Sequence, residues 1–228
     1  MSTITDLSLL RLMQLSSASL PVGAYSFSQG LEYAVESGWV NDQQQTAAWI
    51  SLIMFESIAK VDLPLLFRLM ATLQSNSVAD FYQWNATVLA CRETHELLLT
   101  ETAMGDALLR VLKNLTISLP EKPAAMPNQK ISFIAMFAVA ANHWSIAKNK
   151  AATGFLWSWL ESQVAAATKL VPLGQTAAQQ LLVDLGENIT QLIAITEQCQ
   201  DDDIGSSLPG LAMASSWHET QYSRLFRS

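Results

Sequence analysis

The chain has 228 residues, 50% of them hydrophobic and only 14% charged, with a formal net charge of -7. This composition excludes a disordered polymer and supplies apolar material for one sizeable core, with a surplus that a partner would cover. The acidic balance, without any Lys/Arg cluster, excludes nucleic acid as the main partner.

In chain order, apolar residues recur at three- and four-residue spacing, and no run alternates as a strand requires. A first helix is predicted over residues 5–17, stopped by Pro21 and Gly23. A second runs over residues 26–37 and ends at Gly38, a residue suited to a left-handed cap. Leu31, Ala34, Val35 and Gly38 form its inner stripe, and Gln29, Glu32, Tyr33 and Glu36 share the opposite face, which is either ordinary solvated surface or a polar contact patch. Asn41 caps a third helix, with Gln44 placed to return a hydrogen bond as in a capping box.

Pro64 marks a break or a new first turn near residue 62, residues 75–77 separate helices, and Thr94 interrupts the segment 78–114. Pro120, Pro123 and Pro127 define the one long internal loop. Beyond it lie predicted helices over about residues 131–144, 150–171 and 176–200. The expectation is an all-α, single-domain bundle of about eight to ten helices. Its body spans residues 1–204, and a flexible C-terminal tail follows over residues 205–228.

The uncharged apolar stretch 131–141 is far shorter than the roughly 20 residues that span a bilayer. The start MSTITDLSLL lacks the basic residues of a signal peptide, so the chain reads as cytoplasmic, with no membrane partner. Cys91 and Cys199 are too few and too isolated for a disulfide framework or a zinc site. His95 and Glu96 suggest a zinc-protease motif, but Leu99 stands where the second histidine belongs. His143 ends an apolar helix and reads as packing or capping. Glu93 and Glu101 pair more naturally with Arg92 than with substrate. No catalytic, cofactor-binding or metal-binding residue is assigned.

Two stretches resist this plain reading. One is residues 19–39, SLPVGAYSFSQGLEYAVESGW, where turn residues precede a short helix. The other is the ending WHETQYSRLFRS, in which aromatics and arginines concentrate where a loose end would be polar. These stretches, with VPLGQTAAQQLL at residues 171–182 and RETHELLLTETAMGDALLRVL at residues 92–112, closely resemble the urease accessory protein F (UreF) family. Ala24 and Tyr25 stand where its members commonly have Gly and Phe.

The resemblance implies an all-helical, homodimeric, non-enzymatic protein without a cofactor. It would bind the accessory protein called D or H, then recruit and modulate the nickel-carrying GTPase called G, for nickel insertion into urease apoprotein. In that family the C-terminal segment becomes ordered on binding D/H. Candidate partner-binding residues are Tyr25, Ser28, Gln29 and Glu32 in the first stretch. In the second they are His218, Glu219, Tyr222, Ser223, Arg224, Leu225, Phe226 and Arg227. The alternative is a helical enzyme or a carrier of a small ligand or metal, with its pocket near Tyr25, Gln29 and Glu32 or at the histidines.

Overall fold

The computed structural model describes residues 6–122, 124 and 128–228, and every structural statement below concerns these. Thr5, Pro123 and Pro127 lie outside them. The architecture is all-α as expected, with eleven α-helices and no strand among the described residues. The helices are α1 (Asp6–Leu15), α2 (Leu31–Glu36), α3 (Gln43–Ile53), α4 (Leu63–Gln74), α5 (Val78–Ala90) and α6 (His95–Asn114). They continue with α7 (Phe133–His143), α8 (Lys148–Leu170), α9 (Gln175–Gly186), α10 (Ile189–Gln198) and α11 (Pro209–His218).

At the centre is α7, where every residue from 133 to 141 is buried. A helix apolar all round must be enclosed on all sides, and α4, α5, α6, α8 and α1 surround this one. The long α8 buries Leu156, Leu160, Val164 and Ala167 at helical spacing and packs against α9 and α10. Close approach requires glycine where α6 meets the start of α7. A methyl group on Gly105 would fall inside the Ile131 carbonyl oxygen and 2.9 Å from the Phe133 nitrogen. Gly105→Ala is therefore expected to cost about 1 to 3 kcal/mol by overpacking, read as a lower denaturant midpoint at unchanged helicity.

Several boundaries differ from expectation for local physical reasons. Asp42, not Asn41, caps α3, accepting from the Gln45 amide at 2.8 Å, while the Gln45 side chain accepts from the Asn41 amide at 2.7 Å. The consecutive glutamines 43–45 left the register open. From α3 the chain runs without a break through a π-helical segment, Met54–Asp62, into α4, with Pro64 in the first turn as anticipated. The predicted helix 176–200 divides at Glu187 and Asn188, next to Gly186.

The predicted helix 26–37 is a 3-10 turn, Ala24–Ser26, followed by the short α2, because Gln29 (φ 52) and Gly30 (φ 84) adopt left-handed backbone between them. Gly38 takes the anticipated left-handed cap at φ 75.

The segment 205–228 carries a further helix. Pro209 serves as a first-turn residue of α11 rather than a breaker. Leu211, Ala214, Ser215 and His218 form its buried stripe, and it packs on α2 and α6.

Candidate functional site: the docked C-terminal segment

After α11 the chain turns through Thr220 and Gln221 and lies back across the body. The Leu225 and Phe226 amides both donate to the Glu32 carboxylate, at 2.6 and 2.9 Å. The Arg227 amide donates to the Ser26 carbonyl at 2.8 Å, and the Ser228 carbonyl accepts from the amides of Ser28 and Gln29. Left-handed backbone at Gln29 turns these two amides toward one oxygen, a local nest for a partial negative charge. The Ser228 hydroxyl lies 2.6 Å from the Thr100 hydroxyl.

Phe226 fills a small separate core with Leu31, Ala34, Val40, Ala166, Ala167 and Val171, and the Lys169 ammonium stands 5.2 Å from its ring centroid. Burial of that one ring stabilises docking by about 1.5 to 3 kcal/mol before the entropy of ordering the tail is subtracted.

Beneath the tail lies a buried polar cluster. Nδ1 of His218 is 2.8 Å from Glu96 and Nε2 is 2.9 Å from Glu32, and the Arg224 guanidinium donates to the other Glu96 oxygen at 3.0 Å. His218 is fully buried, and Glu32 and Glu96 nearly so. Burial disfavours the imidazolium, but hydrogen bonds and charge from Glu96 and Glu32 prevail and raise the His218 pKa above its ordinary value.

Glu32, expected on a solvent face with Gln29, Tyr33 and Glu36, thus points inward. The break at residues 29–30 rotates α2 relative to the continuous helix assumed from sequence. Gln29 is half-buried, its amide oxygen accepting from the Trp159 indole at 2.8 Å. Ser28, His218 and Phe226 are likewise buried, whereas Tyr25, Glu219, Tyr222, Ser223, Arg224, Leu225 and Arg227 are exposed.

The outer surface of the docked segment mixes these polar groups with apolar anchors. Tyr222 is fully exposed and Leu225 is 64% exposed. At the end of α11, Tyr33, Trp39 and Trp217 pack ring to ring at 5.4 to 6.0 Å, with Trp39 and Trp217 about 40% exposed. Glu96 and Thr100 belong to this site and were not picked out from sequence. They stand one helical turn apart in THELLLTE, and that spacing was the available signal.

A second polar cluster lies deeper. Arg92 bridges Asp62 at 2.7 Å and Glu101 at 2.8 Å, so the expected pairing of Arg92 is realised with Glu101, while Glu93 stays exposed. Burial raises the Asp62 pKa against the pull of Arg92. The trio forms part of the wall of a cavity of about 150 Å³ lined otherwise by Phe27, Phe133, Phe155 and Trp159 among others. His95 and His143 are exposed at helix ends far from one another in sequence, and both cysteines are half-buried free thiols. Among the described residues no group of His, Cys, Asp and Glu is arranged to hold a metal ion, and no helix is long and apolar enough to cross a membrane.

Comparison with known proteins matches residues 40–186 to the UreF family model. The urease accessory protein UreF of Marinomonas sp. is 50% identical over 224 residues, covering 98% of this chain and 96% of the relative. That of Hahella chejuensis is 44% identical, covering 97% and 99%, and that of Alkalilimnicola ehrlichii 44% identical, covering both chains completely. The family model stops short of both unusual stretches, but the full-length likenesses carry through the docked ending as well. The chain belongs to the UreF family of urease accessory proteins.

Proposed function

We propose that this chain is a non-enzymatic adaptor of cytoplasmic urease maturation. It binds the D/H-type accessory protein through its docked tail, and the pair then recruits and modulates the nickel-carrying GTPase G, so that nickel reaches urease apoprotein. The observation that supports this reading is the division of labour within the last residues. Phe226, the backbone amides and one face of Arg224 are spent on the chain's own body, while Tyr222 and Leu225 are held outward.

A pre-ordered backbone presenting exposed aromatic and aliphatic anchors lowers the ordering cost of association. Glu219, Ser223 and Arg227, exposed on the same segment, and Tyr25, exposed next to the Ser26 carbonyl that holds the Arg227 amide, are assigned to its polar part. Ser28, Gln29, Glu32 and His218 support it from behind. Homodimerisation, which the family resemblance implies and the high apolar content favours, doubles the surface by symmetry.

The test is co-purification with a D/H-type protein. The double variant Tyr222→Ala, Leu225→Ala is expected to lose at least about 2 kcal/mol of binding, with folding stability changed by no more than about 0.5 kcal/mol because both side chains are exposed. Undiminished co-purification of a folded double variant overturns the assignment. Light scattering of the unmodified chain tests the dimer, since a mass staying at 25.0 kDa across micromolar concentrations rules it out.

A further inference from the structure

We propose that His218 is a proton-operated latch on the C-terminal segment: as the imidazolium it clamps Glu32 and Glu96 in the positions that hold residues 224–228, and loss of its proton releases them. Ionised carboxylates only accept, and a neutral imidazole has a single N–H to donate. Yet both ring nitrogens of His218 stand within 3 Å of carboxylate oxygens, in a site closed to water. A neutral ring would press a nitrogen lone pair against an oxygen lone pair on one side. With both carboxylates ionised, the geometry is satisfied on both sides only when both nitrogens carry protons.

Charge balance gives the same answer. The groups facing the imidazole are Glu32 from α2 and Glu96 from α6, with Arg224 of the tail behind Glu96. From α8, Lys169 stands over Phe226 rather than over the ring. Two carboxylates are thus offset by one guanidinium and one imidazolium, and deprotonation leaves an uncompensated negative charge in a buried site, which is costly.

The link to the tail is direct, because the clamped atoms are the ones the tail uses. The Glu32 oxygen bonded to Nε2 also accepts from the Phe226 amide, and the second Glu32 oxygen accepts from Leu225. Glu96 takes His218 on one oxygen and Arg224 on the other. Freed from the imidazolium, these carboxylates gain by turning toward water, and Leu225, Phe226 and Arg224 lose their acceptors together.

The direction with pH follows from linkage. Docking binds the proton more tightly than the undocked state does, consistent with the raised His218 pKa. Its contribution is therefore complete below the ordinary imidazole value and is lost as pH rises through the docked value. The docked-to-undocked ratio falls tenfold for each unit separating the two values.

The inference adds regulation to the surface proposed above, but its test needs no partner, so the two readings fail separately. In the isolated full-length chain, the methyl resonances of Leu225 and the ring resonances of Phe226 are followed by NMR from pH 6 to 10, alongside the His218 ring protons. The expected result is one shared midpoint, higher than that of a free imidazole, with both tail residues moving to exposed-like shifts on the alkaline side. His218→Gln, which cannot carry the charge, is expected to show an undocked tail at every pH. A tail that stays docked while His218 titrates, or that detaches at a midpoint unrelated to it, overturns the proposal, and the unmodified chain suffices to decide.

Discussion

Glu32→Ala is expected to destabilise the protein by about 3 to 5 kcal/mol, the range for removing one partner from a buried charged pair. Three groups lose a partner: the Leu225 and Phe226 amides forfeit their acceptor and His218 forfeits one carboxylate, so that Glu96, Arg224 and His218 are left with excess positive charge. Glu32→Gln is expected to cost less, since an amide oxygen still serves one backbone donor. Urea unfolding at pH 7 measures both. A loss under about 0.5 kcal/mol, the scale of surface substitutions, would mean that this carboxylate is solvated after all.

Arg92→Met carries a penalty of similar size, about 3 to 5 kcal/mol at neutral pH. It leaves Asp62 and Glu101 buried side by side without a cation, and only the Ile134 amide, 3.0 Å from Glu101, remains as a donor in the cluster. The deficit is expected to depend on pH. Burial already pushes the Asp62 pKa up while Arg92 holds it back, so removing Arg92 lets it rise further. A carboxyl with a raised folded pKa is better tolerated once protonated, and the deficit of the variant shrinks as pH falls. Equal losses at pH 5 and pH 8 would show that the missing packing of the arginine stem, not the stranded charge, sets the cost.

Most of the bundle was readable because helical periodicity is a local property. The stripes on α8, α9 and α10, the break at Thr94 and the cap at Gly38 were all encoded within a few residues of where they act. The tail site was not readable in this way. Its side-chain hydrogen bonds join residues 122 to 194 positions apart in the chain, and no periodicity couples such distances. Glu32 looks solvent-facing on a regular helical wheel, and only the left-handed backbone at Gln29 and Gly30 reverses that. His218 carried a usable signal: it completes the spacing Leu211, Ala214, Ser215, His218, which places a lone ionisable side chain on an otherwise small and apolar face. Gly205, Pro209 and Gly210, residues that usually break helices, precede that stripe and mask it. The aromatic excess of the ending was correctly noticed, but it serves two ends, Phe226 inward and Tyr222 outward.

The pairing of the two ends of the chain also sets an order of events during synthesis. Glu32 emerges from the ribosome 186 residues ahead of His218, which at about 5 to 20 residues per second is an interval of roughly 10 to 40 seconds. Throughout it, α2 has a carboxylate aimed at a place whose donors do not yet exist, and the small core around Leu31 and Ala34 lacks its aromatic plug. The nascent protein therefore passes through a stage in which the bundle is built but the seat of its last residues is vacant and wet. Closing that seat waits on residues 224–228, and a chain that lacks them never closes it.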